Sequence, residues 1–107
     1  MSKVEEKSKV KVYISGPMTG LPNFNREAFA EAEKWCIRNG LSPFNPGWLA
    51  FDEGSAFTYE EILQIDLAAL ANCNVILMLP GWEKSNGAKV EFEMATCLGL
   101  KVEYYGK

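Results

Sequence analysis

The chain has 107 residues, of which 48% are hydrophobic and 12% aromatic, and its formal net charge is −3. This length and composition fit one globular domain with a hydrophobic core and exclude a disordered chain. The eleven Lys and Arg residues are scattered, so no basic patch indicates binding to a nucleic-acid polymer. No apolar run reaches the roughly 20 residues that span a bilayer, so no membrane partner is expected.

The residue types that are missing restrict the chemistry. There is no histidine, which excludes histidine triads and the common zinc motifs, so neither a metal site nor a cofactor is predicted. Acid–base or nucleophilic chemistry must come from carboxylates, Tyr, Lys, Ser or Cys. The isolated cysteines Cys36, Cys73 and Cys97 lie in apolar stretches and are expected to be reduced and buried.

The first part of the chain reads as a polar tail followed by a strand. Residues 1–9 are charged and lack the apolar core of a secretory signal, so we expect a cytoplasmic protein with a single domain over residues 10–107. Residues 10–15 (VKVYIS) are β-branched and aromatic and predict the first strand. The loop at residues 16–24 that follows is rich in Gly and Pro.

The next stretch predicts a helix, a strand and a long connection. Asn25 is the expected N-cap of a helix with apolar residues at helical spacing, and Gly40 is its expected C′ residue. Residues 41–44 predict the second strand. The connection at residues 48–57 mixes aromatic and acidic residues, and loops of that length are often functional.

Two further helix–strand units complete the domain. Thr58 and Glu61 form a capping-box pattern for a helix that extends to about Asn72. The apolar run at residues 74–79 predicts a strand buried on both faces. After a loop at residues 80–85, whose last residue is a serine that can cap a third helix, the segment KVEYY predicts the final strand over residues 101–105.

Strands that alternate with helices predict an α/β fold with a parallel sheet and right-handed crossovers. We expect a flavodoxin-like (Rossmann-like) three-layer sandwich of about four strands, in the order 2-1-3-4, with helices on both faces. In such a fold ligands bind beyond the carboxyl ends of the strands, at the switch point between the first and third strands. The loops at residues 16–24 and 80–85 lie there, so the functional centre is expected at residues 81–91.

Glu91 is a carboxylate on an apolar helix face. It falls on the same side of the third helix as Ala88, Ala95 and Leu98, whose small members would let the helix lie close to the sheet. Glu91 is either a boundary residue that turns toward water or a group that overhangs the ligand site. The helix pattern alone leaves both interpretations open.

Asp66 is a second acid on an apolar face, between Ile62 and Leu70 at helical spacing. A buried aspartate must be paired, hydrogen-bonded or protonated. Tyr13 precedes the first loop by three residues. A strand tyrosine is usually a core residue, but its hydroxyl can also reach a carboxylate at the strand end.

The loop residues are more ambiguous. The GPMTG segment at residues 16–20 fits a phosphate or sugar cradle only weakly and equally fits a plain turn. Ser85 either only caps its helix or also holds a phosphate together with nearby amides. Trp82 is a loop aromatic that can stack on a flat base. Trp48 and Phe51 can do the same or can close the core.

Together these residues resemble the nucleoside 2-deoxyribosyltransferase superfamily over nearly the whole chain from Val10. The resemblance is carried by YISGP from residue 13, DL from residue 66, CNVI from residue 73, and S-x-G-A-x-x-E-x-x-x-A from residue 85 with Gly99. More narrowly, LPGWE-x-S-x-GA from residue 79 is similar to a small branch common in phages and prophages.

The resemblance implies an N-glycosidic enzyme. In the family the glutamate matching Glu91 is the nucleophile that attacks the anomeric carbon, and water or a second base resolves the glycosyl-enzyme. The tyrosine matching Tyr13 orients it, and the aspartate matching Asp66 contacts the sugar or helps to protonate the departing base. The substrate-binding residues expected on this basis are Ser15, Gly16, Thr19, Gly20, Asn25, Gly81, Trp82, Ser85, Gly87 and Ala88.

Ser85 bears on the substrate. The base-exchanging enzymes of the superfamily carry an aspartate here that contacts a free 5′-hydroxyl, whereas its 2′-deoxynucleoside 5′-phosphate N-hydrolases carry a serine that faces a 5′-phosphate. Ser85 therefore favours a 2′-deoxynucleoside 5′-monophosphate, and we expect its cleavage, with hydrolysis favoured over deoxyribosyl transfer between bases. Against this, a serine and an arginine of the hydrolase first loop are replaced by Pro17 and Thr19, so the phosphate site is incomplete by the standard of the hydrolases.

Two other classes of function stay open. One is a non-catalytic nucleotide-binding module, a sensor or sequestering protein that uses the same cleft. The other is a small α/β interaction domain whose acids are merely solvated. A homodimer or higher homo-oligomer is expected from the resemblance alone.

Overall fold

A computed structural model describes residues 9–49 and 57–106, without the side chains of residues 48 and 49. The strands are β1 (Lys11–Ser15), β2 (Ser42–Phe44), β3 (Val75–Met78) and β4 (Lys101–Tyr104), and the helices are α1 (Arg26–Arg38), α2 (Tyr59–Ala71) and α3 (Asn86–Leu98). The sheet has the order β2-β1-β3-β4 with every pairing parallel. The predicted flavodoxin-like α/β fold is confirmed.

Some predicted features lie outside the described residues. They are most of the polar tail, most of the long connection including Phe51, and the side chain of Trp48. Within residues 9–49 and 57–106, no helix has the length and apolar character needed to cross a membrane.

The sheet divides the core into two layers because side chains alternate along each strand. Val12 and Ile14 of β1 pack on the α1 side, in a cluster that includes Phe29. Tyr13 packs on the opposite side, in a cluster that includes Leu70 of α2 as well as Ala88 and Ala95 of α3. Right-handed crossovers in a 2-1-3-4 sheet place α2 and α3 on the same face, so residues of these two helices can meet over one end of β1.

The N-terminal caps of α2 and α3 are the predicted ones. Thr58 and Glu61 form the full capping box of α2, and the Ser85 hydroxyl accepts a hydrogen bond from the Ala88 amide at 3.2 Å. Gly99 ends α3 with a φ of 83°, a left-handed conformation that glycine adopts without a steric penalty.

The predicted role of Asn25 as a side-chain N-cap is wrong. Asn25 occupies the N-cap position with a φ of 60°, outside the extended region that capping side chains use, and it makes no cap bond. Its side-chain amide instead donates to the carbonyl oxygen of Pro17 at 3.0 Å. Asn23 and Phe24 are also left-handed, with φ of 51° and 55°, so the chain enters α1 through three consecutive left-handed residues.

Two expectations about apolar residues of α3 are corrected. Leu98 is 49% exposed. It follows Ala95 by three residues, and this spacing places the two side chains roughly 60° apart around the helix axis. Cys97 is also exposed, whereas Cys36 is buried as expected and Cys73 is intermediate.

Candidate functional site

Two hydroxyl groups of β1 hold the carboxylate of Glu91. The Tyr13 hydroxyl donates to Oε2 of Glu91 at 2.8 Å, and the Ser15 hydroxyl donates to Oε1 at 2.6 Å. Tyr13 and Ser15 are two residues apart, so both side chains leave the same face of the strand. Each carboxylate oxygen therefore has a donor of its own.

Small residues on α3 bring Glu91 to this position. Ala88 lies one turn before it and Ala95 one turn after it, and both are buried against the sheet. Methyl side chains let the helix lie close to β1, so a carboxylate between them reaches the strand. Glu91 is half-buried, which answers the question left open by the sequence, because its carboxylate turns inward rather than to water.

Asp66 of α2 is the second acid on this face of the sheet. It lies between the buried residues Ile62 and Leu70 and is itself only 9% exposed. Its Oδ1 atom is buried and has no hydrogen-bond partner among the residues that the structure describes. Burial first, and the charge of Glu91 second, raise the pKa of Asp66 from 3.8 to about 7.

The two acids differ in their hydrogen bonding. The pKa of Glu91 is raised overall, because the effect of burial exceeds that of the hydrogen bonds from Ser15 and Tyr13, which lower it. Oδ1 of Asp66 has no such donor among the described residues, and with a pKa of about 7 Asp66 keeps its proton to near neutral pH. Burial, together with both carboxylates, raises the pKa of Tyr13 well above its usual range, and the phenol remains a donor.

The two predicted loops meet beside these residues. Gly16 packs so closely on β3 that a Cβ atom at its position would lie 2.7 Å from the Cβ of Leu79. Gly81 has a φ of 86°, and a Cβ there would lie 3.5 Å from the Cγ of Pro17. Glycine is required at position 16 for close approach and is favoured at position 81 by the left-handed backbone.

The first turn of α3 borders an open space. A Cβ atom at Gly87 would have no neighbour within 4 Å. The Ser85 side chain and carbonyl accept from the amides of Ala88 and Lys89. The amides of Asn86 and Gly87 belong to the start of the helix, where no acceptor exists within the helix itself. This end of α3 can therefore offer N–H groups and a positive dipole to an anion.

Other predicted binding residues lie in the first loop and at the start of α1. Thr19 and Gly20 are exposed in a turn that the Leu21 amide closes by donating to the Met18 carbonyl oxygen at 3.2 Å. Asn25 is half-buried and bonds to the first loop, as described above.

Trp82 is part of a ring cluster. Its indole stacks on Phe92 with ring centroids 4.8 Å apart, and Tyr104 lies 6.4 Å away. Together with Gly81, Trp82 and Tyr104 line a surface cavity of about 620 Å³ at the ends of β3 and β4. The indole therefore contributes to packing between α3 and β4, whatever else it contacts.

Sequence reasoning missed two features of the site. Ser15 was expected to touch substrate, yet its hydroxyl points at Glu91, and the two-residue spacing from Tyr13 was the signal that placed both on one face. Arg26 received no role, but its Nε donates to the Gly47 carbonyl oxygen at 3.0 Å and links the start of α1 to the segment after β2. No sequence pattern indicated that contact. Over the described ranges 9–49 and 57–106, no three His, Cys, Asp or Glu residues gather in a metal-binding arrangement.

A family described as "Domain of unknown function (DUF4406)" matches residues 10–104, which is nearly the whole chain. The chain belongs to this family. Membership confirms the resemblance to the nucleoside 2-deoxyribosyltransferase superfamily, which includes DUF4406. No curated protein sequence matches the chain.

Two solved structures have the same fold. The CMP N-glycosidase BcmB of Clostridium botulinum aligns with a TM-score of 0.62 and 14% identity, over 88% of this chain and 66% of BcmB. BlsM aligns with a TM-score of 0.64 and 17% identity, over 91% of this chain and 81% of BlsM. The chain thus spans just under two thirds of the length of BcmB. At these identities the similarity establishes the fold of the DUF4406 domain.

Proposed function

We propose that this protein cleaves the N-glycosidic bond of 2′-deoxynucleoside 5′-monophosphates, with Glu91 as the nucleophile. The observation that carries the proposal is the Glu91 carboxylate, fixed by one hydroxyl on each oxygen, on the same sheet face as a second acid whose pKa is about 7. One carboxyl group as nucleophile and a second that holds a proton near neutral pH are the pair of groups that retaining glycosidases use.

In the first step an oxygen of ionised Glu91 attacks the anomeric carbon, and the bond from that carbon to the base nitrogen breaks. The base leaves with the bonding electron pair and accepts a proton from Asp66. Asp66 suits this role because its pKa lets it carry a proton near neutral pH. A 2-deoxy sugar favours the step, since no 2-hydroxyl destabilises the developing oxocarbenium ion.

In the second step water attacks the anomeric carbon of the glycosyl ester. Asp66, now ionised, accepts a proton from that water, and the bond between the sugar carbon and Glu91 breaks to release the carboxylate. The products are the free base and the 2-deoxyribose 5-phosphate, and both acids return to their starting protonation states. A second base in place of water would give deoxyribosyl transfer.

The start of α3 is the proposed position of the 5′-phosphate. The Ser85 hydroxyl, the amides of Asn86 and Gly87 and the open space at Gly87 would supply donors and room for an anion. The structural neighbour BcmB is a CMP N-glycosidase, so the substrate panel must include ribonucleotides as well as deoxynucleotides.

The test incubates the protein with deoxynucleosides, their 5′-monophosphates and the corresponding ribonucleotides. Chromatography then measures the free base that is released. We expect turnover by the wild type and a loss of at least about 1,000-fold in Glu91→Gln, which keeps the shape but removes the nucleophile. Glu93→Gln is the matched control, since Glu93 is an exposed carboxylate two residues further along α3. Acid-quenched wild-type protein should carry the sugar phosphate on Glu91, detected by mass spectrometry.

The other outcomes distinguish the alternatives. Addition of a second free base separates hydrolysis from transfer. Thermal stabilisation by a nucleotide without base release would support a nucleotide-binding module and overturn the enzymatic proposal. Equal base release by wild type and Glu91→Gln would show that another group performs the chemistry.

A further inference from the structure

Ser15 is a deeply buried polar residue at the end of β1. It is 1% exposed, and its backbone pairs with Met78 in the centre of the sheet. Its hydroxyl donates to Oε1 of Glu91 at 2.6 Å, a distance typical of a strong hydrogen bond between a hydroxyl and a carboxylate. A side chain this buried, with its hydroxyl on Glu91, exposes almost no surface to a ligand.

The Ser15 bond complements that of Tyr13. With Tyr13 alone, a single hydrogen bond would oppose rotation of the carboxylate about its last bond. A second donor on the other oxygen opposes the same rotation and so holds the plane of the group more firmly. Each oxygen accepts one hydrogen bond from β1 and retains a second lone pair for attack on a sugar carbon.

We infer that Ser15 is a positioning residue for the nucleophile, not a substrate contact. The inference rests on the proposed role of Glu91. Ser15 holds Oε1 so that the carboxylate is ionised and correctly oriented before substrate arrives. Since preorganised hydrogen bonds contribute to catalysis through geometry and charge, loss of Ser15 changes both the orientation and the protonation of Glu91.

The first measurement is the titration of the Glu91 carboxyl carbon by NMR, in wild type and in Ser15→Ala, without substrate. Glu91→Gln assigns the signal by its disappearance. A hydrogen bond that favours the ionised form lowers the pKa of its acceptor, so Ser15→Ala should titrate at higher pH than wild type. An unchanged titration would overturn the inference whether or not the protein turns over any nucleotide.

The second measurement is the pH dependence of kcat/KM for base release. In Ser15→Ala the acid limb should move to higher pH, and kcat/KM on that limb should fall by roughly ten- to hundredfold, the effect of one hydrogen bond to a charged group. Ser15→Thr keeps a hydroxyl on a β-branched side chain suited to a strand and should restore the wild-type limb. A Ser15→Ala defect confined to KM, with an unmoved acid limb, would instead mark a substrate contact.

Thr96→Ala is the matched control. Thr96 is on the same helix as Glu91, and its hydroxyl bonds only to the carbonyl oxygens of Phe92 and Glu93 among the contacts that the structure describes. Its removal should leave both titration and pH profile unchanged. If wild type releases no base while Ser15→Ala still shifts the Glu91 titration, the positioning contact stands and the proposed function fails.

Discussion

The hydroxyl of Tyr13 lies 2.8 Å from Oε2 of Glu91, although 78 positions separate the two residues in the sequence. The contact joins the central strand β1 to the last helix, across the switch point of the sheet. Tyr13 is fully buried, and its ring stacks on Phe44 of β2 with centroids 5.5 Å apart. One side chain thus connects the packing of three elements to the orientation of the Glu91 carboxylate.

Tyr13→Phe should reduce kcat/KM for base release by about ten- to hundredfold and move the acid limb to higher pH. The physical reason is that the Tyr13 hydrogen bond lowers the pKa of Glu91, so its loss favours the protonated, inactive nucleophile. The phenylalanine ring keeps the stack on Phe44, and circular dichroism should show an unchanged fold. Tyr59→Phe, at a side chain 60% exposed, should behave as wild type; a Tyr13→Phe profile that overlies it would contradict the orienting role.

Asp66 should make the protein less stable as pH rises. Its pKa is about 7 in the folded protein against an ordinary value of 3.8. Below pH 4 both states are protonated; between pH 4 and 7 the unfolded state ionises while the folded state keeps its proton. The free energy of unfolding therefore falls over this range, by at most roughly 4 kcal/mol, and this contribution is flat above pH 7.

Urea denaturation from pH 4 to 8 measures this effect. In Asp66→Asn the corresponding part of the pH dependence should disappear, and the variant should be more stable than wild type at pH 8. The same variant should release base at least about 100-fold more slowly, because it lacks the general acid. Parallel stability curves for the two proteins would show that Asp66 ionises in the folded state as it does in the unfolded chain.

Two glycine substitutions should separate folding from binding. Gly16→Ala places a methyl group 2.7 Å from the Cβ of Leu79 and should destabilise the fold by about 1–3 kcal/mol. Gly87→Ala meets open space within a helix, and should be neutral or more stable by about 0.5–1 kcal/mol. If the 5′-phosphate occupies that space, Gly87→Ala should nevertheless raise KM for the nucleotide. An unchanged KM would show that the 5′-phosphate does not bind at the start of α3.

Ser85 should determine the preference for a 5′-phosphate. Ser85→Ala loses the cap of α3, which costs about 1 kcal/mol, and should lower kcat/KM for the monophosphate more than for the nucleoside. Ser85→Asp keeps a capping oxygen but adds a negative charge, and should reject the monophosphate through charge repulsion. The ratio of the two kcat/KM values in each variant is the measurement. A ratio that stays at the wild-type value in Ser85→Asp would show that Ser85 does not contact the 5′-phosphate.

The fold was predictable because several local signals agree with it. The apolar run at residues 74–79 contains β3, and the Thr58–Glu61 capping box starts α2 where the pattern predicts it. The alternation of strands and helices then leaves few arrangements, and the observed order is the expected one. The misplaced carboxylates Glu91 and Asp66 were visible as polar positions on apolar helix faces.

The loop conformations and the hydrogen-bond partners were not predictable in the same way. Asparagine is a residue type suited to an N-cap, but the backbone of Asn25 is left-handed and its side-chain amide donates to the carbonyl oxygen of Pro17. That outcome depends on the neighbouring loop, which a local pattern does not contain. The partner of Ser15 likewise depends on how closely α3 approaches β1, a distance set by the buried alanines of the helix rather than by β1 itself.

The pairing of β1 hydroxyls with a carboxylate of α3 also ties activity to cooperative unfolding. Residues 13 and 15 lie near one end of the described chain and residue 91 near the other, so their meeting requires β1, β3 and α3 to be docked together. A partly folded chain or a fragment lacking either end cannot form the hydrogen bonds that hold the Glu91 carboxylate. Loss of base release in denaturant should therefore coincide with the loss of ellipticity in a two-state transition, which makes turnover an assay for the completely folded domain.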